Sequence, residues 1–266
     1  MEIKEIGIVG CGTMGCQTAE LFLSKGFYVV MVSRKKNAKD HCRKLFYNKK
    51  LVEKLEIGGN YANLTECDLL IESVKEDRSL KQEVFENLDM VAADHAIIAS
   101  NSSTIPLHVI AVNCKHKKNM IGFHLSNPAT LMKVVEIPML PETSKETKSA
   151  ILALAKEIGK EPVFVKDEPG FLFNRIMFAM LNEAANMVYR GIATKEDVDR
   201  SMMLTANHPL GPIAILDLVG IDVAFDILNS LFEQLNDDKY KPSPILSDLI
   251  KQNRLGRKAG KGFYDY

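Results

Sequence analysis

The stretch Ile6-Gly7-Ile8-Val9-Gly10-Cys11-Gly12-Thr13-Met14-Gly15 constrains this chain more than any other. A short apolar run ends in G-x-G-x-x-G, and Cys16 to Lys25 come next with Ala19, Leu21, Phe22 and Leu23 where a helix can use them. The pattern reads as strand, tight turn, helix. The first glycine lets the chain turn sharply, the second lets backbone approach a pyrophosphate, and the third lets helix and strand pack closely. The helix N-terminus adds unpaired N–H groups and a partial positive charge. Glycines alone would also fit an ordinary turn. Their place after the first strand, with Gly26 and a second apolar run Phe27 to Val32 behind them, points to a dinucleotide, with Gly10, Gly12, Thr13, Met14 and Gly15 as expected contacts.

The residues just past the second strand bear on which dinucleotide is bound. A carboxylate there accepts hydrogen bonds from the adenosine ribose of NAD, whereas a 2′-phosphate requires that carboxylate gone and a cation present. This chain has Ser33-Arg34-Lys35-Lys36 at that place. A serine can bond a phosphate oxygen and an arginine can grip it as a fork, so Ser33 and Arg34 favour NADP over NAD; a solvated basic loop is the plainer alternative. Lysine and arginine together number 34 against 34 acidic residues, so no overall field draws the chain to nucleic acid or an anionic membrane, and any anion site must be local. The five cysteines, odd in number and without metal-type spacing, argue for a reducing compartment and against a disulfide framework. The first residues run straight into a strand, and no segment is long and apolar enough to span a bilayer. A cytoplasmic protein without a bound metal is the expectation.

Further along, Asn37 to Asn63 is polar and lysine-rich with Leu45, Phe46, Leu51 and Leu55 at near-helical spacing, and reads as one broken helix. Asp68–Glu72 is a third strand, Ser79–Leu88 an amphipathic helix, Ala96–Ala99 a fourth strand and Asn119–Phe123 a fifth. Lys145–Ile158 reads as a helix and Pro162–Val165 as a final short strand. This alternation predicts an α/β chain whose first part, residues 1–166, is a doubly wound, mostly parallel sheet of Rossmann type. From residue 167 to 266 the apolar period becomes helical. Phe173, Met177, Leu181, Ala184 and Val188 form one face of a long helix ending near Gly191, and helices are expected at Thr194–Leu204, Gly211–Leu218, Asp222–Leu235 and Ile245–Gln252. Such broad apolar faces in an all-helical domain suit a homodimer.

Polar residues gather beyond the carboxyl ends of the strands, where such sheets bind ligands. A histidine after an apolar strand, as at His124, is most often a hydrogen-bonded structural residue. Glu136, however, interrupts the apolar run Val134-Val135-Glu136-Ile137, and a carboxylate there is costly to bury without a partner. His124 can be that partner; a carboxylate on one ring nitrogen fixes the tautomer and leaves the other for proton transfer. Ser103 and Asn127 would add hydroxyl and amide donors, and Asn174 sits early in the long helix.

Several separate motifs in one order are more specific than any one of them. They are Gly10 to Gly15, Ala99-Ser-Asn-Ser-Ser103, His124-x-x-Asn127-Pro128 with Met132-Lys-Val-Val-Glu136, Pro169-Gly-Phe-x-x-Asn174-Arg175, Ala206-Asn-His-Pro-Leu-Gly-Pro212 and Leu255-Gly-Arg-Lys-Ala-Gly-Lys-Gly-Phe-Tyr264. Over nearly its whole length the chain resembles the L-3-hydroxyacyl-CoA dehydrogenases, including the bacterial 3-hydroxybutyryl-CoA dehydrogenases. The resemblance implies reversible hydride transfer between a nicotinamide cofactor and C3 of an acyl-CoA thioester. It places the catalytic histidine on His124, its glutamate on Glu136, the substrate-binding serine and asparagine on Ser103 and Asn174, and cofactor contacts on Glu76, Lys81, Asn101, Ser103, Asn127 and Lys258.

The chain also departs from that family. The region Asn37 to Thr65 is shorter than the family's helical hairpin, which contributes to holding the CoA nucleotide; the acidic residue after the second strand is Ser33; and the usual aromatic pair after the catalytic histidine is Leu125-Ser126. Three readings are open: a short-chain 3-hydroxyacyl-CoA dehydrogenase, which is favoured; a relative acting on an acyl group held by a carrier protein or on a free hydroxy acid; and a dinucleotide-binding protein without catalysis, against which the intact Ser103, His124, Glu136 and Asn174 weigh.

Overall fold

A computed structural model describes residues 2–266. The chain forms two compact units, one ending at Phe171 and one spanning Leu172–Tyr266. In the first, β1 (Glu5–Val9), α1 (Thr13–Ser24), β2 (Tyr28–Val32), α2 (Ala38–Leu45) and β3 (Glu56–Gly58) are succeeded by β4 (Leu69–Glu72), α3 (Arg78–Val91), β5 (Ile97–Ser100) and α4 (Leu107–Ile110). Then come β6 (Met120–Gly122), β7 (His124–Leu125), β8 (Val134–Met139), α5 (Lys145–Glu157) and β9 (Glu161–Lys166). The strands lie in the order β3-β2-β1-β4-β5-β6-β8-β7, with β9 paired to β8. From β3 to β6 every pairing is parallel, and the order reverses beside β1, the switch point at which doubly wound sheets bind ligands.

Alternation along the strands builds a core on each face of the sheet. Ile6 and Ile8 of β1, Leu69 and Ile71 of β4, and Ile97 and Ala99 of β5 face one way, packed with Phe22 of α1, Cys42 of α2 and Leu154 of α5. Val9, Leu70 and Ile98 face the other way, against Val84, Phe85 and Leu88 of α3. Both faces are covered, which is why the central strands read as apolar runs rather than as strict alternation.

The expected broken helix between Asn37 and Asn63 takes a different form. Only α2 is α-helical; Lys49–Lys54 is a 3₁₀ segment whose start is capped by the Asn48 side chain, and Glu56–Gly58 adds β3 to the sheet edge beside β2. A three-residue strand leaves no periodicity to read. The expectation against disulfides is corrected at one place: Cys16 and Cys42, brought together where α1 packs on α2, form a disulfide that ties the two helices, while Cys11, Cys67 and Cys114 are free and buried. Burial pushes the Cys67 and Cys114 thiols up to about 12, which keeps them protonated and unreactive.

The second unit contains α6 (Phe173–Tyr189), α7 (Lys195–Thr205), α8 (Pro212–Val219), α9 (Ile221–Leu235) and α10 (Pro244–Lys251). Its core takes Phe178, Leu181 and Ala185 from α6, Ile213 and Leu216 from α8, and Leu228 and Leu231 from α9. The buried stripe of α6 is therefore turned from the expected face: Phe173 is exposed, and Asn174 and Asn182 are buried instead. Asn182 is satisfied there by bonding the backbone of Lys239, Lys241 and Ser243. Two buried aspartates hold the rest. Asp199 accepts the N–H groups of Ile213 and Ala214 at the start of α8, and Asp217 accepts those of Phe263 and Tyr264 in the C-terminal tail. Among the described residues no helix is long and apolar enough to cross a membrane.

Candidate active site

At the carboxyl ends of β1 and β4 lies a cleft of about 780 Å³ lined by Gly10, Gly12, Thr13, Met14, Ser33, Arg34, Glu76, Asn101 and Ser103. Its floor is the glycine turn. Gly10 has φ +109°, and a Cβ there would press on the Ser73 carbonyl; a Cβ on Gly15 would collide with the Gly10 carbonyl oxygen. Gly12 differs, since a Cβ there would meet no atom within 4 Å and would protrude into the cleft instead. No side chain caps α1 at Gly12, and its first turn carries no acidic residue. The cradle thus presents bare backbone and a helix N-terminus, the arrangement that accepts a pyrophosphate.

The wall of the cleft is held by buried charge. Glu72, at the end of β4, accepts from the backbone of Val74 and the hydroxyl of Ser100, and pairs with Lys81 of α3 at 2.8 Å. Lys81 is 1% exposed and also reaches Glu76 at 3.2 Å. Glu76 in turn accepts the backbone N–H groups of Ser103, Thr104 and Ile105 and the hydroxyl of Ser102. Burial works against its charge, yet Lys81 and these donors outweigh burial and hold the Glu76 carboxyl down at about 2. For Lys81, burial favours the neutral amine, but the two carboxylates prevail and raise it. The loop after β5 is therefore pinned by ion pairs one layer behind it. Lys81 itself does not line the cleft.

From that loop the hydrogen bonds run to the histidine. Asn101 accepts the Leu125 N–H at 2.9 Å and donates to Ser73. Leu125 and His124 form β7, which pairs antiparallel with β8 so that His124 stands opposite Glu136. The His124 Nδ1 lies 2.9 Å from Glu136 Oε2, with both side chains buried. The Phe171 ring packs against the imidazole with centroids 5.6 Å apart, its backbone in the left-handed region at φ 49°. Behind β7, Gln17 accepts the Ala129 N–H and Lys160 donates to the Ala129 and Met132 carbonyls, fixing the loop between the two strands. Asn127 is exposed in that loop and precedes a cis bond to Pro128.

Two expected residues belong to the other unit. Asn174 is the second residue of α6 and is buried; Lys258 lies in a 3₁₀ segment of the tail, 2.6 Å from Asp222. Sequence reasoning missed Glu72, Ser73 and Cys11, whose sulfur lies 2.8 Å from the Ser33 hydroxyl.

Known proteins share this architecture. Residues 5–168 match the family model for the NAD binding domain of 3-hydroxyacyl-CoA dehydrogenase, and residues 170–266 match the model for its C-terminal domain. The chain belongs to the 3-hydroxyacyl-CoA dehydrogenase family. It is 38% identical to the 3-hydroxybutyryl-CoA dehydrogenase of Clostridioides difficile, over 98% of this chain and 99% of that one. It is 36% identical to a probable 3-hydroxybutyryl-CoA dehydrogenase of Bacillus subtilis, over 100% and 98%. The crystal structure of the (S)-3-hydroxybutyryl-CoA dehydrogenase of Ralstonia eutropha superimposes with a TM-score of 0.90 at 33% identity, covering 100% of this chain and 99% of that one. The chemistry of the family is oxidoreduction of a 3-hydroxyacyl-CoA.

Proposed function

We propose that this chain is an NADP-preferring 3-hydroxyacyl-CoA dehydrogenase for short acyl chains, with residues 1–166 as its dinucleotide-binding domain and residues 167–266 as its substrate and dimerisation domain, working as a cytoplasmic homodimer. The buried His124–Glu136 pair, 2.9 Å apart, carries the reading. In oxidation of the substrate, His124 takes the C3 hydroxyl proton on Nε2 while Glu136 holds Nδ1 and steadies the imidazolium. In reduction the same proton returns to the ketone oxygen. Ser103 and Asn174 donate to the oxygen on which charge develops. A bound nicotinamide supplies or accepts the hydride. The glycine cradle, Asn101 and the loop pinned by Glu76 position that cofactor, with Asn127 and Lys258 as further contacts and Lys81 acting through Glu76.

The NADP preference rests on Ser33 and Arg34, both lining the cleft where a ribose-binding carboxylate would otherwise stand. Arg34 is paired with Glu83 at 2.7 Å, but side-chain exposures of 77% and 55% make that an easily exchanged contact. The dimer is supported by the exposed apolar side chains of Ile176, Ile192, Leu204 and Leu218 on the helical unit. A carrier-protein thioester is a second reading, favoured by the reduction of the expected hairpin to the eight-residue α2 and a 3₁₀ segment. Turnover of acetoacetyl-CoA with NADPH and with NADH tests the proposal. Faster oxidation of NADPH supports it, a preference for NADH removes the phosphate argument, and equal rates on CoA and minimal pantetheine thioesters move the substrate to a carrier.

A further inference from the structure

Beside the dinucleotide cleft lies a second depression, lined by basic residues, and Lys35 is common to both. The loop bearing Lys35 is fixed locally: the Ser33 hydroxyl accepts the Lys35 backbone N–H at 3.1 Å. The Lys35 ammonium lies 3.1 Å from Nε2 of His41, on the first turns of α2. Two cations do not share that distance without an anion between them, so the ring accepts from the lysine while the site is open. Burial, then Lys35 and Lys44, hold His41 below its ordinary value.

We propose that Lys35 and His41 complete, with Ser33 and Arg34, a subsite for a phosphate monoester, the 2′-phosphate of an adenine dinucleotide. The inference rests on the NADP reading and deepens it. The surroundings carry an excess of positive charge. Lys36 precedes α2, Lys44 lies on it and Lys49 starts the 3₁₀ segment packed against it, and among the described residues none of them pairs with a carboxylate. The carboxylate that lines the depression, Asp40, is already engaged by Arg43, which also pairs with Glu53 outside the lining. From α1, Glu20 is taken up by the backbone N–H groups of Tyr47 and Asn48. A phosphate monoester carries a charge of about −1.5 to −2 near neutral pH, enough to let both Lys35 and His41 be cationic at once. Binding therefore takes up a proton at His41, and affinity for the 2′-phosphate weakens as pH rises above the lowered value of the free ring. Because Lys35 lines the dinucleotide cleft, the phosphate is assigned to the redox cofactor rather than to the 3′-phosphate of CoA.

Calorimetric binding of 2′,5′-ADP and of 5′-ADP to the full-length protein, in two buffers of different ionisation heat, reads affinity and proton uptake together. The expected result is proton uptake with 2′,5′-ADP only. Lys35→Ala should lower the affinity for 2′,5′-ADP about tenfold more than that for 5′-ADP. His41→Gln should abolish the proton uptake and flatten the pH dependence. Unchanged 2′,5′-ADP affinity in both variants of an enzyme that prefers NADPH would overturn the subsite and leave the NADP reading standing, whereas a wild-type preference for NADH would overturn both. Variants that raise KM for acetoacetyl-CoA but not for its dephospho-CoA counterpart, with 2′,5′-ADP affinity intact, would assign the phosphate to CoA and also overturn the proposal.

Discussion

The two ends of the first unit are built in opposite ways. Around His124, each group is fixed by another: Glu136 sets the ring, Asn101 bonds the strand that carries it, Glu76 pins the loop that carries Asn101, and Lys81 and Glu72 anchor Glu76 from the buried side. Around Ser33, itself half-buried against Cys11, the charged groups are exposed and lightly held, with Arg34 and Glu83 meeting in solvent. Buried charge networks resist piecemeal change, because removing one member leaves its partner uncompensated. Exposed ion pairs impose no such penalty. The network around His124 is thus tied to the core of the sheet, while the residues around Ser33, proposed to choose the cofactor, can be replaced one at a time. The substitution of the expected acidic residue by Ser33 sits at the end where substitution disturbs least.

The comparison can be attacked from either side. The largest effect is expected at His124: His124→Ala should reduce turnover about a thousandfold or more while leaving nucleotide affinity near that of the wild type, as read by steady-state rates and by nucleotide titration. A variant that kept most of its activity would remove His124 from the mechanism. Next comes Lys81→Met, which leaves Glu72 and Glu76 facing each other without a cation; chemical denaturation should show a loss of about 3 kcal/mol or more, and an unaltered midpoint would mean that the network does not hold the loop. The smallest effect concerns acid. The Glu76 carboxyl is held down at about 2, below its value of 4.5 in an unfolded chain. Its contribution to stability is therefore complete above about 4.5 and disappears as pH falls through about 2. Unfolding followed over that range should be less steep with pH in Glu76→Gln than in the wild type.

Much of the chemical end was legible in the sequence because it obeys one rule: a carboxylate inside an apolar strand needs a partner. That rule led from Glu136 to His124. Glu72 gives the same signal at the end of β4, but its partner Lys81 lies nine residues on, in a helix, and a lysine on an amphipathic helix ordinarily faces water. Only the fold reveals that this one is 1% exposed. The glycine turn and the parallel sheet were readable because they rest on local backbone needs and on apolar runs. The short β3 was not, since pairing with β2 rather than any preference of its own makes it a strand. Nor was the pairing of Cys16 with Cys42, which depends on the seam between two helices. The turned face of α6 has a similar cause, as Asn174 and Asn182 count as polar in a pattern yet are buried.

The separability of the two ends is tested most directly by Ser33→Asp, with kcat and KM for NADPH and NADH measured side by side on acetoacetyl-CoA. A carboxylate at that position repels a 2′-phosphate and accepts ribose hydroxyls. The ratio of kcat/KM for NADPH to that for NADH should fall about a hundredfold, through KM, with the pH profile of kcat in place. An equal fall in kcat with both cofactors, or an unchanged ratio, would contradict the account.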